Sequence, residues 1–399
     1  MLSSSLIDDA QAIAGELVTL RRAIHAEPEL GLQTPKTRDK VRMALAHLPL
    51  DWKEGPSTTG LVGVLKGGAG DGRSVLLRGD MDALPMPEET GLDFASKVPG
   101  TMHACGHDAH TAMLAGAAEL LCQRADRLKG EVRFMFQPGE EGHHGARYML
   151  DDGLLDPLPD AAFALHVFPN APHGRFGGKP GPLLAAADQF RIAVNGKGGH
   201  ASLPHETMDP VPVACEIVTA LQAMVTRKFS VFDPVVLTVA RIASGTTFNV
   251  IPDKAEIEGT MRTLNPANRE RIREQVQLVA AGIAGAHGLT VDIDVIEGFP
   301  VTVCDERAVD FGARVTDELF GEEAFLRLED PIMGAEDFAY VLEKVPGAMF
   351  FLGVSHEGED WTQCCGIHST RMMIDESVMP RGAALLAGLA EAFLERGFD

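Results

Sequence analysis

A ten-residue segment, TMHACGHDAH (101–110), holds three histidines, a cysteine and an aspartate. Cysteine thiolate and histidine imidazole are good ligands for zinc-like divalent ions. Cys105 and His107 are two residues apart, so a loop can direct both side chains at one point. The cluster therefore predicts a metal site, although a single histidine in a loop is more often simply hydrated. The alternative is that Cys105 acts as a nucleophile beside His107. That role would leave the glutamate pair and the distant histidines, described next, unexplained.

Two adjacent glutamates, Glu140 and Glu141, follow the apolar run VRFMF in the motif QPGEEG. Neighbouring carboxylates repel each other unless a cation separates them or one of them holds a proton. One of the two can bind a metal ion while the other faces water as a general base. A solvated acidic pair is the alternative. His166 in FALHVF and His368 in CCGIHST are further candidate ligands, although each alone is equally consistent with a structural histidine.

The composition limits the possible partners. The chain has 399 residues, 45% of them hydrophobic, and is long enough for two or three domains. Its 57 acidic and 35 basic residues give a formal charge of −22, which argues against nucleic acid and anionic membranes. The six cysteines are too scattered for a disulfide framework. With no signal peptide in residues 1–17 and no apolar run near the roughly 18 residues of a membrane helix, we expect a reduced, cytoplasmic enzyme.

Strands alternate with helices along the first part of the chain, which predicts an α/β layered fold with a mixed, mostly parallel sheet. Helices are expected at 6–25 and 110–123. Strands are expected at 60–67, 74–84, 131–142 and 161–169. Polar groups follow three of these strands, and functional side chains gather at the carboxyl ends of strands in such folds. These groups are Asp80 and Asp82, Glu140 and Glu141, and His166.

A change in composition at the Gly- and Pro-rich segment 172–184 predicts a linker. After it, strands and two helices, near 210–228 and 266–287, form an α+β unit that ends near residue 298. The chain then returns to its earlier pattern, with a buried strand at 347–355. We therefore expect a discontinuous metal-binding catalytic domain, 1–184 and 299–399, with an inserted domain at 185–298.

Taken together, the motifs resemble the M20 metallopeptidase family, most closely its amidohydrolase branch, which includes hippurate hydrolases and plant auxin-conjugate hydrolases. The resemblance spans nearly the whole chain, with the motifs in family order. The segments that carry it are RRAIHAEPELG (21–31), LLRGDMDALPMPEETGLDFAS (76–96), GTMHACGHDAHTAML (100–114), FQPGEEG (136–142), LHVFP (165–169), GKGGHASLPH (196–205), TTFNVIPD (246–253), EGTMRT (258–263) and MGAEDFAY (333–340).

The resemblance implies a site for two divalent metal ions, which could be zinc, manganese, cobalt or nickel. The ligands that it implies are Cys105, His107, Glu141, His166 and His368. Cys105 would bridge the two ions. Glu140 matches the general base and Asp82 an orienting carboxylate, while Asp80 and Asp108 are further supports.

The inserted domain matches the family's lid, which also mediates dimerisation, so a homodimer or a higher homo-oligomer is expected. His200 in the segment GGHA is expected to reach a neighbouring subunit's active site and to polarise the scissile carbonyl. Asn249 and Arg262 match residues that hold the substrate carboxylate, a role that suits the planar guanidinium of arginine. Without the resemblance, these two would be interpreted as a turn residue and a strand charge.

The implied reaction is metal-dependent hydrolysis of the amide bond of an N-acyl-L-amino acid, hippurate-like or N-acetylated. The products are a carboxylic acid and a free amino acid. A dipeptidase, a carboxypeptidase or an N-acetyl-diaminopimelate deacetylase would use the same site, and a non-enzymatic metal-binding module is the remaining alternative. A structural zinc site usually has four protein ligands and no adjacent base, so Glu140 beside Glu141 favours catalysis.

Three residues depart from the family pattern. Thr34 stands where a glutamate is common and is expected to alter local packing. His143 and His144 stand where small residues are usual, and they are expected to add a stray metal contact or to reshape the rim of the pocket.

Overall fold

The computed structural model describes residues 5–399. The first four residues lie outside the described residues. They belong to the predicted catalytic domain and to the segment in which no signal peptide is expected. The described chain divides into two compact units. Unit 1 contains the residues up to Leu183 together with Val303–Asp330 and Asp337–Asp399. Unit 2 contains Leu184–Thr302 and Pro331–Glu336.

The secondary structure follows the predicted alternation over most of the chain. The α-helices, in chain order, are α1 Ser5–Ala12, α2 Ala14–His25, α3 Pro35–Ala44, α4 His107–Cys122, α5 Gly145–Asp151, α6 Pro210–Lys228, α7 Pro266–Ala286, α8 Glu306–Phe320, α9 Ala339–Leu342 and α10 Met379–Arg396. The strands are β1 Asp51–Glu54, β2 Leu61–Lys66, β3 Ser74–Asp80, β4 Glu131–Gln137, β5 Ala161–Phe168, β6 Phe176–Gly178, β7 Gly181–Leu184, β8 Ala186–Asn195, β9 Gly199–His200, β10 Val235–Ser244, β11 Val250–Ile251, β12 Lys254–Thr263, β13 Thr290–Ile296, β14 Thr302–Cys304, β15 Phe325–Arg327 and β16 Gly347–Gly353.

Unit 1 is built on an eight-stranded sheet with the strand order β1-β2-β4-β3-β5-β16-β6-β15. Strand β3 lies between β4 and β5 and is parallel to both, and β16 is parallel to β5. The pairs β1–β2, β2–β4 and β6–β16 are antiparallel. The sheet is thus mixed and mostly parallel, which confirms the predicted α/β fold class.

Helix α4 is buried along nearly its whole length and packs against β3, α2 and α10. Its alanines and glycine allow this close packing: a Cβ atom on Gly116 would lie 2.5 Å from a methyl carbon of Leu17. The helix begins at His107, three residues before the predicted start, because Gly106 at its N-terminus adopts the left-handed conformation with φ 91°. The close packing of α4 fixes His107 beside the end of β3.

Two predictions about secondary structure are wrong. The predicted helix 6–25 is two helices, α1 and α2, which are separated at Ile13, where ψ is 6°. The predicted linker 172–184 contains β6, which is fully buried between β16 and β15. Its glycines permit that packing rather than flexibility, since a Cβ atom on Gly178 would lie 3.0 Å from the Phe350 ring.

The C-terminal helical segment Glu376–Arg396 is, among residues 5–399, the one stretch long and apolar enough to cross a membrane. The expectation that no apolar run approaches the roughly 18 residues of a membrane helix is therefore wrong for this segment. In the folded chain, 83% of the 18-residue apolar stretch within this segment is buried, as expected of the core helix of a globular unit. Its contacts with α1, α4 and α8 account for its apolar composition.

Unit 2 is built on an antiparallel sheet with the strand order β10-β12-β8-β13. Alternate residues of β8, such as Phe190, Ile192 and Val194, are buried in a core to which α6 and α7 contribute. The pattern follows from the period of two along a strand, which places successive side chains on opposite faces.

A buried carboxylate, Asp188, ties the α7 helix to this sheet. It accepts two hydrogen bonds each from Arg269 and Arg273, at 2.8 and 3.0 Å, and one from the amide of Gly298 at 2.9 Å. Burial opposes its charge, but the hydrogen bonds from the two arginines prevail and lower the pKa of Asp188 to about 2. The ionised Asp188 carboxylate therefore contributes its full stabilisation of the fold above the unfolded-state pKa of about 4. This contribution is lost as the pH falls through about 2.

Asp188→Asn is expected to lower the free energy of unfolding by about 3–5 kcal/mol at pH 7, because it removes the buried anion of two partly buried arginines and leaves them the exposed Glu297 as an ion-pair partner. Chemical denaturation at pH 7 and at pH 3 measures the effect, and the difference between variant and wild type should shrink at the lower pH. Asp294→Asn, on an exposed position of β13, is the matched control and should change stability little. Equal losses in both variants would contradict the assignment.

Candidate metal centre

The predicted site residues of unit 1 gather where three neighbouring parallel strands end. Asp80 ends β3, His166 lies near the end of β5, and the Glu140–Glu141 pair follows β4. Because β3 is parallel to both β4 and β5, these three carboxyl ends meet at one edge of the sheet. Functional groups collect at this edge in α/β folds.

The five predicted ligands form two overlapping groups, each with its candidate ligand atoms within 4.8 Å of one another. One group is Cys105, His107 and His166, and the other is Cys105, Glu141 and His368. Cys105 Sγ lies 3.4 Å from His166 Nε2, and His368 Nε2 lies 3.2 Å from Glu141 Oε1. The two groups share Cys105, the residue expected to bridge the two ions.

Gly106 allows the chain to present Cys105 and His107 to one point. Its φ of 91° is unfavourable for residues with a side chain. A Cβ atom at this position would also lie 2.3 Å from a methyl carbon of Val167. Any larger residue would move this loop away from β5 and separate the thiol from His166.

Hydrogen bonds fix the tautomers of two of the histidines that are predicted as ligands. His107 Nδ1 donates to the backbone carbonyl of Asp82 at 2.8 Å, and His166 Nδ1 donates to the carbonyl of Val167 at 2.7 Å. In its neutral form each ring therefore presents an unprotonated Nε2, the form that binds a metal ion. His107 Nε2 is buried and has no hydrogen-bond partner among residues 5–399. A buried ring nitrogen without a hydrogen-bond partner is suited to binding a cation.

The electrostatics of the cluster also favour a cation. Burial opposes a charge on His107, but the neighbouring Asp80 and Cys105 raise its pKa well above the ordinary value. Hydrogen bonds with Cys105 and Glu141 raise the pKa of His368 to about 10. Burial, with His110 nearby, instead lowers the pKa of His166 well below its usual range, which keeps that ligand neutral. A divalent cation would satisfy the same negative groups that attract protons to His107 and His368.

Asp82 holds the glutamate pair in place. Its two carboxylate oxygens accept hydrogen bonds from the backbone amides of Glu140 and Glu141, each at 2.9 Å. Asp82 is fully buried, while Glu140 is 6% exposed and Glu141 is half-buried. The carboxylate thus orients the turn that carries both glutamates, which is the contact expected of an orienting group.

The remaining predicted site residues, His200, Asn249 and Arg262, belong to unit 2. His200 is exposed and faces Val250 across the β9–β11 pair, and the amide of Ala201 donates to the carbonyl of Asn249 at 3.2 Å. His200 and Asn249 therefore lie on neighbouring backbone segments. Arg262 is half-buried on β12, and burial lowers its pKa.

The three departures from the family pattern have separate structural settings. Thr34 is buried, and its amide donates to the Thr59 hydroxyl at 2.6 Å. His143 is exposed, with its ring against Gly31, and His144 Nδ1 lies 2.8 Å from the Tyr340 hydroxyl. Neither histidine belongs to the groups of potential ligands found among residues 5–399, so a stray metal contact is not supported.

Sequence reasoning left three buried residues of this region without a role. His110 contacts Asp80, Arg78 bonds both Asp80 and Asp337, and Asp337 accepts from Gln137. His110 lies one helical turn from His107, and that spacing in HDAH is a sequence signal that could have identified it. Nothing in the local pattern around Arg78 or Asp337 indicates that they meet.

The chain matches the sequence model of "Peptidase family M20/M25/M40" over residues 76–392. An N-acetylcysteine deacetylase of Bacillus subtilis is 39% identical over 386 residues, which cover 96% of this chain and 98% of that protein. A thermostable carboxypeptidase 1 of Saccharolobus solfataricus is 37% identical over 396 residues, with 98% and 99% of the two chains covered.

A solved structure from Bacillus subtilis, described as a dinuclear metal-binding peptidase from the M20 family, superimposes with a TM-score of 0.82. It is 35% identical to this chain, and the match covers 96% of this chain and 99% of the other.

Proposed function

The chain belongs to peptidase family M20/M25/M40, and we propose that this metal-dependent amidohydrolase hydrolyses N-acyl-L-amino acids, using Glu140 as general base. The observation that carries the proposal is the position of Glu140, whose carboxylate offers an oxygen within 4.8 Å of the candidate ligand atoms of His107 and Glu141. A site with a carboxylate next to the ligands suits hydrolysis better than a closed structural metal site. Release of a free amino acid from N-acyl amino acids tests the proposal.

We propose that Cys105, His107, Glu141, His166 and His368 hold two divalent metal ions, as the dinuclear neighbour is described to do. When bound, such ions polarise the substrate carbonyl and lower the pKa of water toward about 7. The thiolate and imidazole ligands suit zinc, cobalt and nickel, and the carboxylate also suits manganese.

The chain's own residues then move the proton. Glu140 accepts a proton from the attacking water and passes it to the nitrogen of the leaving amino acid. Asp82 contributes by fixing the backbone amides of Glu140 and Glu141, so that the base and the ligand keep a constant separation. Preorganisation of this kind lowers the barrier because the carboxylate does not have to reorient during the reaction.

The substrate class rests on the relatives and on unit 2. The deacetylase relative is named for an N-acetyl amino acid, and we propose a hippurate-like or N-acetylated substrate here. Arg262 and Asn249 are proposed to bind its carboxylate, and the partly buried guanidinium favours a charge-assisted contact. A carboxypeptidase activity on short peptides is the second candidate, because a relative of that name is 37% identical over nearly the whole chain.

We further propose that the enzyme is a homodimer or a higher homo-oligomer assembled through unit 2, and that it works in the cytoplasm. We also propose that His200 serves the active site of a neighbouring subunit. His200 Nδ1 accepts a hydrogen bond from the amide of Ser202 at 3.1 Å, so Nε2 carries the ring proton in the neutral form. A protonated Nε2 is a donor that can stabilise the developing oxyanion. None of the six cysteines, which all lie among the described residues, forms a disulfide bond, as is usual for cytoplasmic proteins.

Mixing inactive Glu140→Gln and His200→Ala variants is expected to restore activity through hybrid dimers. Each hybrid has one site with an intact Glu140 and an intact His200, so random exchange should give about a quarter of wild-type activity. The measurement is amino-acid release after co-refolding or prolonged mixing, with subunit exchange verified by differently tagged chains. Proven exchange without any recovery of activity would reject the action of His200 across subunits.

A further inference from the structure

His110 links the ends of two strands at the metal centre through hydrogen bonds at both of its ring nitrogens. The amide of Val167, at the end of β5, donates to His110 Nε2 at 2.8 Å. Nε2 is therefore an acceptor, and the ring proton lies on Nδ1, which donates to Asp80 Oδ1 at 2.6 Å. The imidazole is 2% exposed and connects Asp80 at the end of β3 with the backbone of β5.

The connection continues beyond Asp80 through buried side chains. Arg78 Nη1 donates to Asp80 Oδ2 at 2.6 Å, and its Nη2 donates to Asp337 Oδ1 at 3.0 Å. Asp337 also accepts from the amide of Ala146 at 2.9 Å, close to the glutamate turn. Arg78, Asp80 and Asp337 are each at most 2% exposed. Both carboxylate oxygens of Asp80 accept hydrogen bonds, so its position is well defined. The hydrogen bond from His110 is therefore made to a side chain that is itself held in place.

Both ligand histidines of one metal group depend on this arrangement. The Val167 amide that His110 holds belongs to the peptide bond that joins His166 to Val167, and the carbonyl of Val167 accepts from His166 Nδ1. His107 lies in the same turn of α4 as His110, and its Nε2 lies 3.5 Å from Asp80 Oδ2. Displacement of His110 would therefore change the separation of His107 and His166.

We infer that His110 is a positioning residue that sets the separation of His107 and His166 for the metal ions, an inference that rests on the proposed function. His110 also lies close enough to Asp80 and His107 to be counted as a possible ligand itself. Both of its ring nitrogens are already engaged in hydrogen bonds, so ligation would require breaking one of them. A ring that only fills space in the core would not need either bond.

Two substitutions separate positioning from packing. His110→Phe keeps the planar ring but loses both hydrogen bonds, whereas His110→Gln loses the ring but keeps a donor and an acceptor on one side chain. The measurement is the dissociation constant for zinc, from competition with a chromophoric chelator, together with thermal unfolding of the metal-free protein. The positioning role predicts that His110→Phe weakens zinc binding by about 10–100-fold, the usual range for partners of metal ligands, and that His110→Gln retains most of the wild-type affinity.

Thr111→Val is the matched control. Thr111 is a buried neighbour in α4 whose hydroxyl donates to the carbonyl of Asp80 at 2.6 Å, so its loss removes a hydrogen bond to the same strand without touching the carboxylate. It should destabilise the metal-free protein and leave zinc affinity unchanged. Normal zinc binding in His110→Phe, or a larger loss of zinc affinity in His110→Gln than in His110→Phe, would overturn the inference.

The inference and the proposed function fail in different ways. If the wild type binds zinc and hydrolyses no acyl amino acid or peptide, the proposed function fails while the zinc measurements on His110 still test its positioning role. If His110→Phe binds zinc normally and the wild type is active, the inference alone fails. A wild type that binds no divalent ion overturns both.

Discussion

Glu140→Gln is expected to lower kcat by about 10²–10⁴-fold, the usual contribution of a general base, while both metal ions remain bound. Glutamine has nearly the same shape as glutamate, and the backbone amide of residue 140 can still donate to Asp82. The turn that carries the ligand Glu141 should therefore be preserved. Only the ability to accept a proton from water is lost.

Initial rates on an N-acyl amino acid and metal content by elemental analysis should be measured on the same preparation. Glu322→Gln, at an exposed position of unit 1, is the control for the loss of one acidic charge and should behave like the wild type. Normal turnover in Glu140→Gln would remove the base assignment. A loss of metal would instead make Glu140 a ligand, since it also lies within reach of His107 and Glu141.

Cys105→Ala is expected to lose bound metal and to reduce activity by more than about 100-fold, the upper range for partners that only support a ligand. The thiol is shared by both ligand groups, so its removal weakens both at once. Burial raises the pKa of the Cys105 thiol, whereas the neighbouring His107 opposes the rise. A bound cation would hold the group as a thiolate despite its burial.

Metal content by elemental analysis, at a fixed free-metal concentration, is the direct measurement for this variant. Cys304→Ala is the matched control, because Cys304 is also buried in unit 1, where burial raises the pKa of its thiol to about 12. It should keep the wild-type metal content. An unchanged metal content in Cys105→Ala would reject this cysteine as a ligand.

The edge of the sheet that carries the site could be predicted because its signals are local. Each of β3, β4 and β5 is an apolar run with polar side chains near its carboxyl end, and adjacent parallel strands bring such ends together. His368 is different, because it lies 227 residues from Glu141 in the sequence (368 − 141), yet its ring nitrogen is 3.2 Å from that carboxylate. Only the family resemblance indicated this contact.

Other features depend on packing that the local sequence does not express. Segment 172–184 has the composition of a linker, but Gly178 lies against the Phe350 ring and allows β6 to enter the sheet. The helix break at Ile13 is preceded and followed by residues with ordinary helical patterning. The role of His110 depends on a backbone amide 57 residues away, which no motif specifies.

The central claim is that bound divalent metal ions and Glu140 hydrolyse N-acyl-L-amino acids. Its most direct test is amino-acid release from a panel that includes N-benzoylglycine, N-acetylmethionine, N-acetylcysteine and short peptides, before and after chelation and metal readdition. We predict release from one or more acyl amino acids, lost on chelation and restored by zinc, manganese, cobalt or nickel. Cleavage of the peptides alone would replace hydrolysis of acyl amino acids with carboxypeptidase activity as the proposed function. Amino-acid release that persists after complete removal of the metal would contradict the claim.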